Sequence, residues 1–152
     1  MHSTEDVAWV ISSHETVYEE QFGWKGVGEF VEQSIAEVLG TSESGRGWIA
    51  WRANERVGCV FSETSDDGTT VALRMLYANE SARGLRVGSQ LTEVVIEHAR
   101  NTDARAVRLW TTNTQFAARR VYEKAGFSLR SSVPYTDFGA DLVKEEWLLH
   151  LV

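Results

Sequence analysis

What the chain has little of narrows it first. A single cysteine, Cys59, among 152 residues rules out an internal disulfide. Its place in Val57-Gly58-Cys59-Val60-Phe61 reads as a buried, inert thiol. With one proline and no repeated or low-complexity tract there is no sign of a linker. Residues 1–152 are therefore read as one domain, long enough to bury a real core. No apolar run nears the roughly 18 residues that a spanning helix needs, and the start Met1-His2-Ser3-Thr4-Glu5-Asp6 lacks a basic leader. No membrane is expected, and the cytoplasm is the expected address. Basic residues never interleave with aromatics in a stripe, which makes nucleic acid a poor partner. No metal site is expected: His14-Glu15 starts like a zinc-protease helix, but Tyr18 stands where the second histidine belongs. Gly23, Gly26 and Gly28 do not follow a strand, so they make no dinucleotide fingerprint.

What is there is unevenly charged. The net charge is −7, yet residues 1–73 hold 4 basic and 13 acidic side chains while residues 74–130 hold 10 basic and 5 acidic. Residues 131–152 return to an acidic balance, with 1 basic and 4 acidic. Scatter over a solvated surface is one reading. The other is that the middle of the chain meets an anion while the first part attracts a cation.

The periodicities give an element order. Val7–Ser12 alternates weakly and is expected as a first strand, followed by a short helix over His14–Phe22. Apolar residues at Val27, Val31, Ile35, Val38 and Leu39 mark one helix face, with Gly40 as its stop. Trp48–Ala53 and Arg56–Glu63 are strands about an Asn54-Glu55 turn, and Asp66-Asp67-Gly68 turns the chain into a central strand at Val71–Ala78. A strong helix follows, its buried face given by Val87, Leu91, Val94, Val95, His98 and Ala99. Val107–Thr111 is a strand, Thr114–Lys124 a helix closed by Gly126, and Phe127–Val133 and Trp147–Leu151 are the last strands. The class is α+β: a central mixed, mostly antiparallel sheet flanked by helices.

The most informative segment leaves the Val71–Ala78 strand. Arg83-Gly84-Leu85-Arg86-Val87-Gly88-Ser89 is a glycine-bearing loop that runs straight into a helix. Such a junction presents unpaired backbone N–H groups and the positive end of a helix dipole, and two arginines beside it suit phosphate. A tight turn with solvated arginines would look the same. About 25 residues on comes Leu109-Trp110-Thr111-Thr112-Asn113, then Ala117-Ala118-Arg119-Arg120-Val121-Tyr122 and Gly126-Phe127.

With both segments in place the chain resembles the GNAT superfamily of acyl-CoA-dependent N-acetyltransferases. The loop looks like that family's Gln/Arg-x-x-Gly-x-Gly/Ala pyrophosphate pattern, and the second segment looks like its strand, Asn, alanine-rich helix, Tyr and Gly-Phe ending. Trp48-Ile49-Ala50, Val57-Gly58 and Phe138–Val143 before Trp147 are similar to one subgroup, the GNAT domain often fused behind a MarR-type winged-helix regulator. No DNA-binding domain is expected within these residues.

The resemblance implies a GNAT fold, acetyl-CoA as cosubstrate with no metal, and transfer of its acetyl group directly to an amine of a small molecule or peptide. It places Leu76, Tyr77 and Ala78 against the pantetheine arm as an added strand. Backbone N–H groups of Arg83, Gly84, Leu85, Arg86, Val87, Gly88 and Ser89 are placed on the pyrophosphate, and Asn113 near the pantetheine, where an N-cap is its plain alternative. Tyr122 matches the residue that protonates the departing thiolate; a core tyrosine with a structural hydrogen bond is the alternative. Arg86 stands where the family usually has glycine, and can offer its N–H there if its backbone stays helical. The strand before the loop has Arg74 where several members carry a glutamate base, leaving Glu20, His14, Glu63 or a water chain for that role. Tyr18, Glu19, Glu20, Phe22, Trp24 and Phe30 are expected to wall a pocket for an amine, apolar and cationic in character; aromatics in the core and acids in solvent are the alternative. A non-catalytic acyl-CoA-binding sensor or regulatory module is the rival function, and a homodimer is compatible with either.

Overall fold

The computed structural model describes residues 3–41, 44–82 and 84–151. The chain opens on a helix, α1 (Thr4–Phe22), where alternation over Val7–Ser12 had suggested a strand. The true period is helical: Asp6, Val10 and His14 are the buried positions, one turn apart. Ser3 caps the start by accepting from the Asp6 N–H at 3.0 Å, and Glu5 and Asp6 oppose the dipole in the first turn. Gly23 ends the helix in the left-handed conformation, its N–H donating to the Glu19 carbonyl. Helix α2 (Val27–Ile35) runs on through a π turn at Ala36–Thr41, so the stop signal at Gly40 acts within one residue of its place.

Six strands form one sheet among the described residues: β1 (Arg46–Arg52), β2 (Glu55–Thr64), β3 (Thr70–Ala78), β4 (Ala106–Thr112), β5 (Ser128–Asp137) and β6 (Ala140–His150). Their order is β1-β2-β3-β4-β6-β5, and only β3 and β4 pair in parallel. The first hairpin turns on Ala53-Asn54, both at positive φ, one residue before the expected turn. The last two strands are longer than their apolar runs suggested, because an exposed β5 pairs with β6 along a ribbon that turns at Phe138-Gly139.

Helices α3 (Val87–Asn101) and α4 (Phe116–Ala125) pack on one face of the sheet; Val60, Leu91, Val95, Val107, Leu109 and Tyr122 lie in that core. Helices α1 and α2 bury Val10, Val31 and Val38 against Cys59 and Phe61 on the other face. Val94, expected inside, is exposed, and Thr92 and Ile96 take the buried places. Cys59 is fully buried, and burial pushes its thiol far above the ordinary value, which makes it inert as a nucleophile. Helix α3 approaches the sheet most closely over Gly58, where a Cβ would stand 2.8 Å from both the Tyr77 carbonyl and a Val87 methyl. No helix among the described residues is long and apolar enough to cross a membrane.

Candidate active site

The site begins with a fault in the sheet. Strands β3 and β4 pair from Thr70 with Ala106 to Leu73 with Leu109, and no further. Against β2, Cys59 faces Tyr77 and Phe61 faces Arg74, so Val60 opposes two residues, Met75 and Leu76. Met75 takes the extra place at φ 55, a left-handed conformation costing about 1–2 kcal/mol in a residue with a Cβ. The bulge turns β3 away from β4, which stays bound to β6 as far as Thr112. Between them opens a fork, and the edge of β3 that faces it, from Arg74 to Ala78, has lost its ladder partner.

Two cavities meet at the fork. A groove of about 750 Å³ is lined by Leu76, Tyr77 and Ala78, by Gly84, Arg86, Val87, Gly88 and Ser89, and by the start of α4. A pocket of about 390 Å³ lies under α1 and α2, lined by His14, Trp24, Phe30, Trp110, Tyr122 and Phe138 among others. Tyr18, Leu76 and Gln115 belong to both. The Tyr18 hydroxyl donates to Gln115 Oε1 at 3.2 Å, and Gln115 Nε2 donates to the Thr112 hydroxyl at 3.3 Å, tying α1 to the start of α4 across the junction.

Most of the loop residues singled out in the sequence come to the groove. Arg83 lies outside the described residues. Leu85 is exposed, absent from the lining, and its N–H donates to the Ala82 carbonyl at 3.1 Å, so it is not available to a ligand. Arg86 corrects the expectation of a helical backbone: it is the N-cap of α3 at φ 60, ψ 31, the conformation that glycine favours. No side chain caps α3, so the first N–H groups of the helix, beside the groove, are left for solvent or an anion.

This position carries a two-part prediction. Arg86→Gly should raise thermal stability by roughly 0.5–1 kcal/mol, because relief of left-handed strain exceeds the entropy that glycine adds to the unfolded chain. With CoA in the groove, as the family resemblance implies, the same variant should bind it more weakly and with a flatter salt dependence, since it loses a cation that lines the groove. Thermal melts and isothermal titration at two salt concentrations measure both. Unchanged affinity and salt slope would show an arginine pointing to water.

Asn113 is not brought to the groove. Its Oδ1 accepts from the Val143 N–H at 3.0 Å and its own N–H donates to the Val143 carbonyl at 3.0 Å, which extends the β4–β6 ladder by a side chain. The residue before α4 is Gln115, with no side-chain cap bond. Asn113 is therefore not the N-cap of α4, and it lines neither cavity.

Tyr122 points from α4 into the pocket and is 4 % exposed. Its hydroxyl has no hydrogen-bond partner among the described residues, and burial, with Tyr18 adding to it, pushes the phenol well above its ordinary value. The group stays protonated at neutral pH as a donor with nothing in the protein to donate to.

Of the proton acceptors considered, Glu20 is exposed and Glu63 pairs with Arg74 at 3.4 Å; neither lines the pocket. His14 does, at 3 % exposure. Its Nδ1 stands 2.8 Å from the Val10 carbonyl, which can only accept, so Nδ1 carries the proton and Nε2 the lone pair. Nε2 is buried and makes no well-formed hydrogen bond, and burial lowers the pKa and holds the imidazole neutral against the smaller opposite pull of the Val10 and Met75 backbone. Residue type alone could not separate His14 from its rivals; the helical reading of residues 4–22 would have aligned it with Val10 and Tyr18.

Among the described residues no group of three or more His, Cys, Asp or Glu is placed to hold a metal. Residues 8–127 match the Acetyltransferase (GNAT) family. N-acetylaspartate synthetase from Danio rerio is 35% identical over 80 residues, covering 53% of this chain and 28% of that protein. The structure of a GNAT-family acetyltransferase from Staphylococcus aureus superimposes with a TM-score of 0.80 at 18% identity, covering 99% of this chain and 96% of the other. An aminoglycoside 6′-N-acetyltransferase complexed with coenzyme A gives a TM-score of 0.74 at 15% identity, covering 99% and 93%. With a match that spans most of its length, the chain belongs to the GNAT acetyltransferase family.

Proposed function

We propose that this protein transfers the acetyl group of acetyl-CoA directly to an amine. One observation carries the reading: a groove with an anion cradle and a pocket with unpartnered proton-handling groups meet at a single fork. The features fit the cosubstrate. Uncapped N–H groups at the start of α3 would hold the pyrophosphate, and the free edge of β3 at Leu76–Ala78 would pair with the amides of the pantetheine arm. When bound, acetyl-CoA supplies an activated acyl carbon and a thiolate leaving group.

The chain's own groups supply the rest. Backbone N–H on the fork edge of β3 polarises the carbonyl as the amine nitrogen bonds to it. His14 Nε2 takes the proton that the amine loses, and the Tyr122 hydroxyl gives one to sulfur as the C–S bond breaks. The products are an N-acetyl amide and CoA thiol, and a proton passes from His14 back to Tyr122 through solvent. A pocket beside the thioester end of the groove favours catalysis over a sensor that only binds acyl-CoA. We further place the protein in the cytoplasm, working as one domain, and relate it through Phe138–Val143 to the GNAT domains found behind MarR-type regulators.

The first test is binding. CoA at 100 times its dissociation constant should stabilise the fold by about 2.7 kcal/mol, read as a higher melting temperature. ATP and NAD at equal concentration should do much less. No shift at millimolar CoA removes the cosubstrate, and a shift without thiol release toward any amine leaves the sensor.

A further inference from the structure

The charges that line the pocket are of one sign. Arg74 and Lys144 line it, and no aspartate or glutamate among the described residues does. The carboxylates expected in its wall, Glu19 and Glu20, are exposed on the outside of α1. Arg74 is already held, 3.4 Å from Glu63 and 3.9 Å from Glu37. Lys144 is not. Its ammonium sits 4.7 Å from the centre of the Trp110 ring and 5.4 Å from that of Tyr135, and has no carboxylate partner among the described residues. Strand β6 pairs Lys144 with Thr112, the last residue of β4 at the fork, and the Asn113–Val143 clip fixes that register. The rest of the wall is apolar: Trp24 stacks on Phe138 at 5.4 Å, Phe30 meets Phe138 edge-on, and Val27 and Val31 close the floor.

We infer that the acceptor is an α-amino acid with an apolar side chain, its carboxylate held by Lys144 and its side chain against Trp24 and Phe138. This rests on the acetyl-transfer reading and names its substrate class. A polyamine or other purely cationic amine would enter a pocket whose lining carries the Lys144 ammonium, uncompensated, and no carboxylate. An amino acid brings its own anion, which pairs with the free ammonium and leaves the amine directed at the fork. The aromatic cage around Lys144 fixes the cation in place without neutralising it.

The experiment is initial-rate thiol release from acetyl-CoA with phenylalanine, phenylalaninamide, phenethylamine, aspartate and spermidine. A hydrogen bond to a charged group is worth a factor of about 10–100. Phenylalanine should therefore exceed phenylalaninamide and phenethylamine in kcat/KM by about that factor, and exceed aspartate and spermidine too. Lys144→Met keeps the length and apolar stem but removes the charge. It should raise the KM for phenylalanine about 10–100-fold with a smaller change in kcat, bringing the preference over phenethylamine toward one; Lys144→Arg should restore it. The comparison in the wild-type protein stands even if the variant folds poorly. Phenethylamine or spermidine matching phenylalanine, or aspartate exceeding it, overturns this inference and leaves acetyl transfer intact. No thiol release with any of these amines, CoA still binding, removes the transfer reading and this one with it.

Discussion

Replacing Tyr122 by phenylalanine should slow thiol release by about 10²–10⁴-fold while the fold and CoA affinity hardly change. The ring stays, with its packing on Phe127 at 5.8 Å and its place in the core under α4. Only the hydroxyl goes. A buried hydroxyl that holds structure would cost roughly 0.5–1.5 kcal/mol on removal, because its partner is left unsatisfied. The Tyr122 hydroxyl has no partner among the described residues, so the melting temperature should stay within about a degree or rise slightly. On the proposed mechanism the rate responds, because the phenol that burial keeps protonated lines the pocket at the fork and gives its proton to sulfur. Thiolate expelled without a proton is a poorer leaving group than the thiol. Melting temperature and turnover measured on this one variant separate the two roles. A normal rate in the phenylalanine variant removes Tyr122 from the mechanism.

How far this could be read from the sequence differs from residue to residue. The loop and helix start over Gly84–Ser89 were legible because glycine placement and an apolar helical period are local signals. So was the strand ending at Ala78, although the bulge at Met75 that opens the fork was not: methionine carries no sign of a left-handed backbone, and pairing with Phe61 and Tyr77 decides it. The opening helix was lost to a short apolar run with two compatible periods, and burial of Asp6 beside Arg56 at 2.8 Å shows why the polar positions misled. Asp6 looks like surface and lies inside with its partner. Asn113 had the right neighbours for a cap, but its bond runs to Val143, 30 residues on, which no local pattern encodes. The charge of the pocket was misjudged for the same reason. The acids of α1 are near its aromatics in sequence and on the opposite side of the helix in space, while Lys144 comes from the far end of the chain.

His14 carries the second large effect. His14→Gln and His14→Phe should each reduce turnover by about 10²–10⁴-fold, since neither side chain can accept a proton at neutral pH. The pair is chosen because the two replacements differ in everything else. Glutamine offers a hydrogen-bonding group near the place of Nε2, whereas phenylalanine keeps a planar ring between Tyr18 and Tyr77, 5.9 and 5.3 Å from His14. If His14 merely positions the amine through a hydrogen bond, glutamine should recover much of the rate. If it only fills space, phenylalanine should. Loss in both marks the lone pair itself. Stability gives an independent readout. Burial lowers the His14 pKa below its ordinary 6.5, so as pH falls below about 6.5 the unfolded chain binds a proton that the folded chain refuses. The wild-type protein therefore loses stability on acidification through this group, and either variant should lose less, with the contribution of His98 in the same direction remaining. At neutral pH the phenylalanine variant should be as stable as wild type or more so, because an unpartnered buried nitrogen has been removed. A variant that folds well, loses its acid sensitivity and keeps full turnover would show a buried histidine with no part in the reaction.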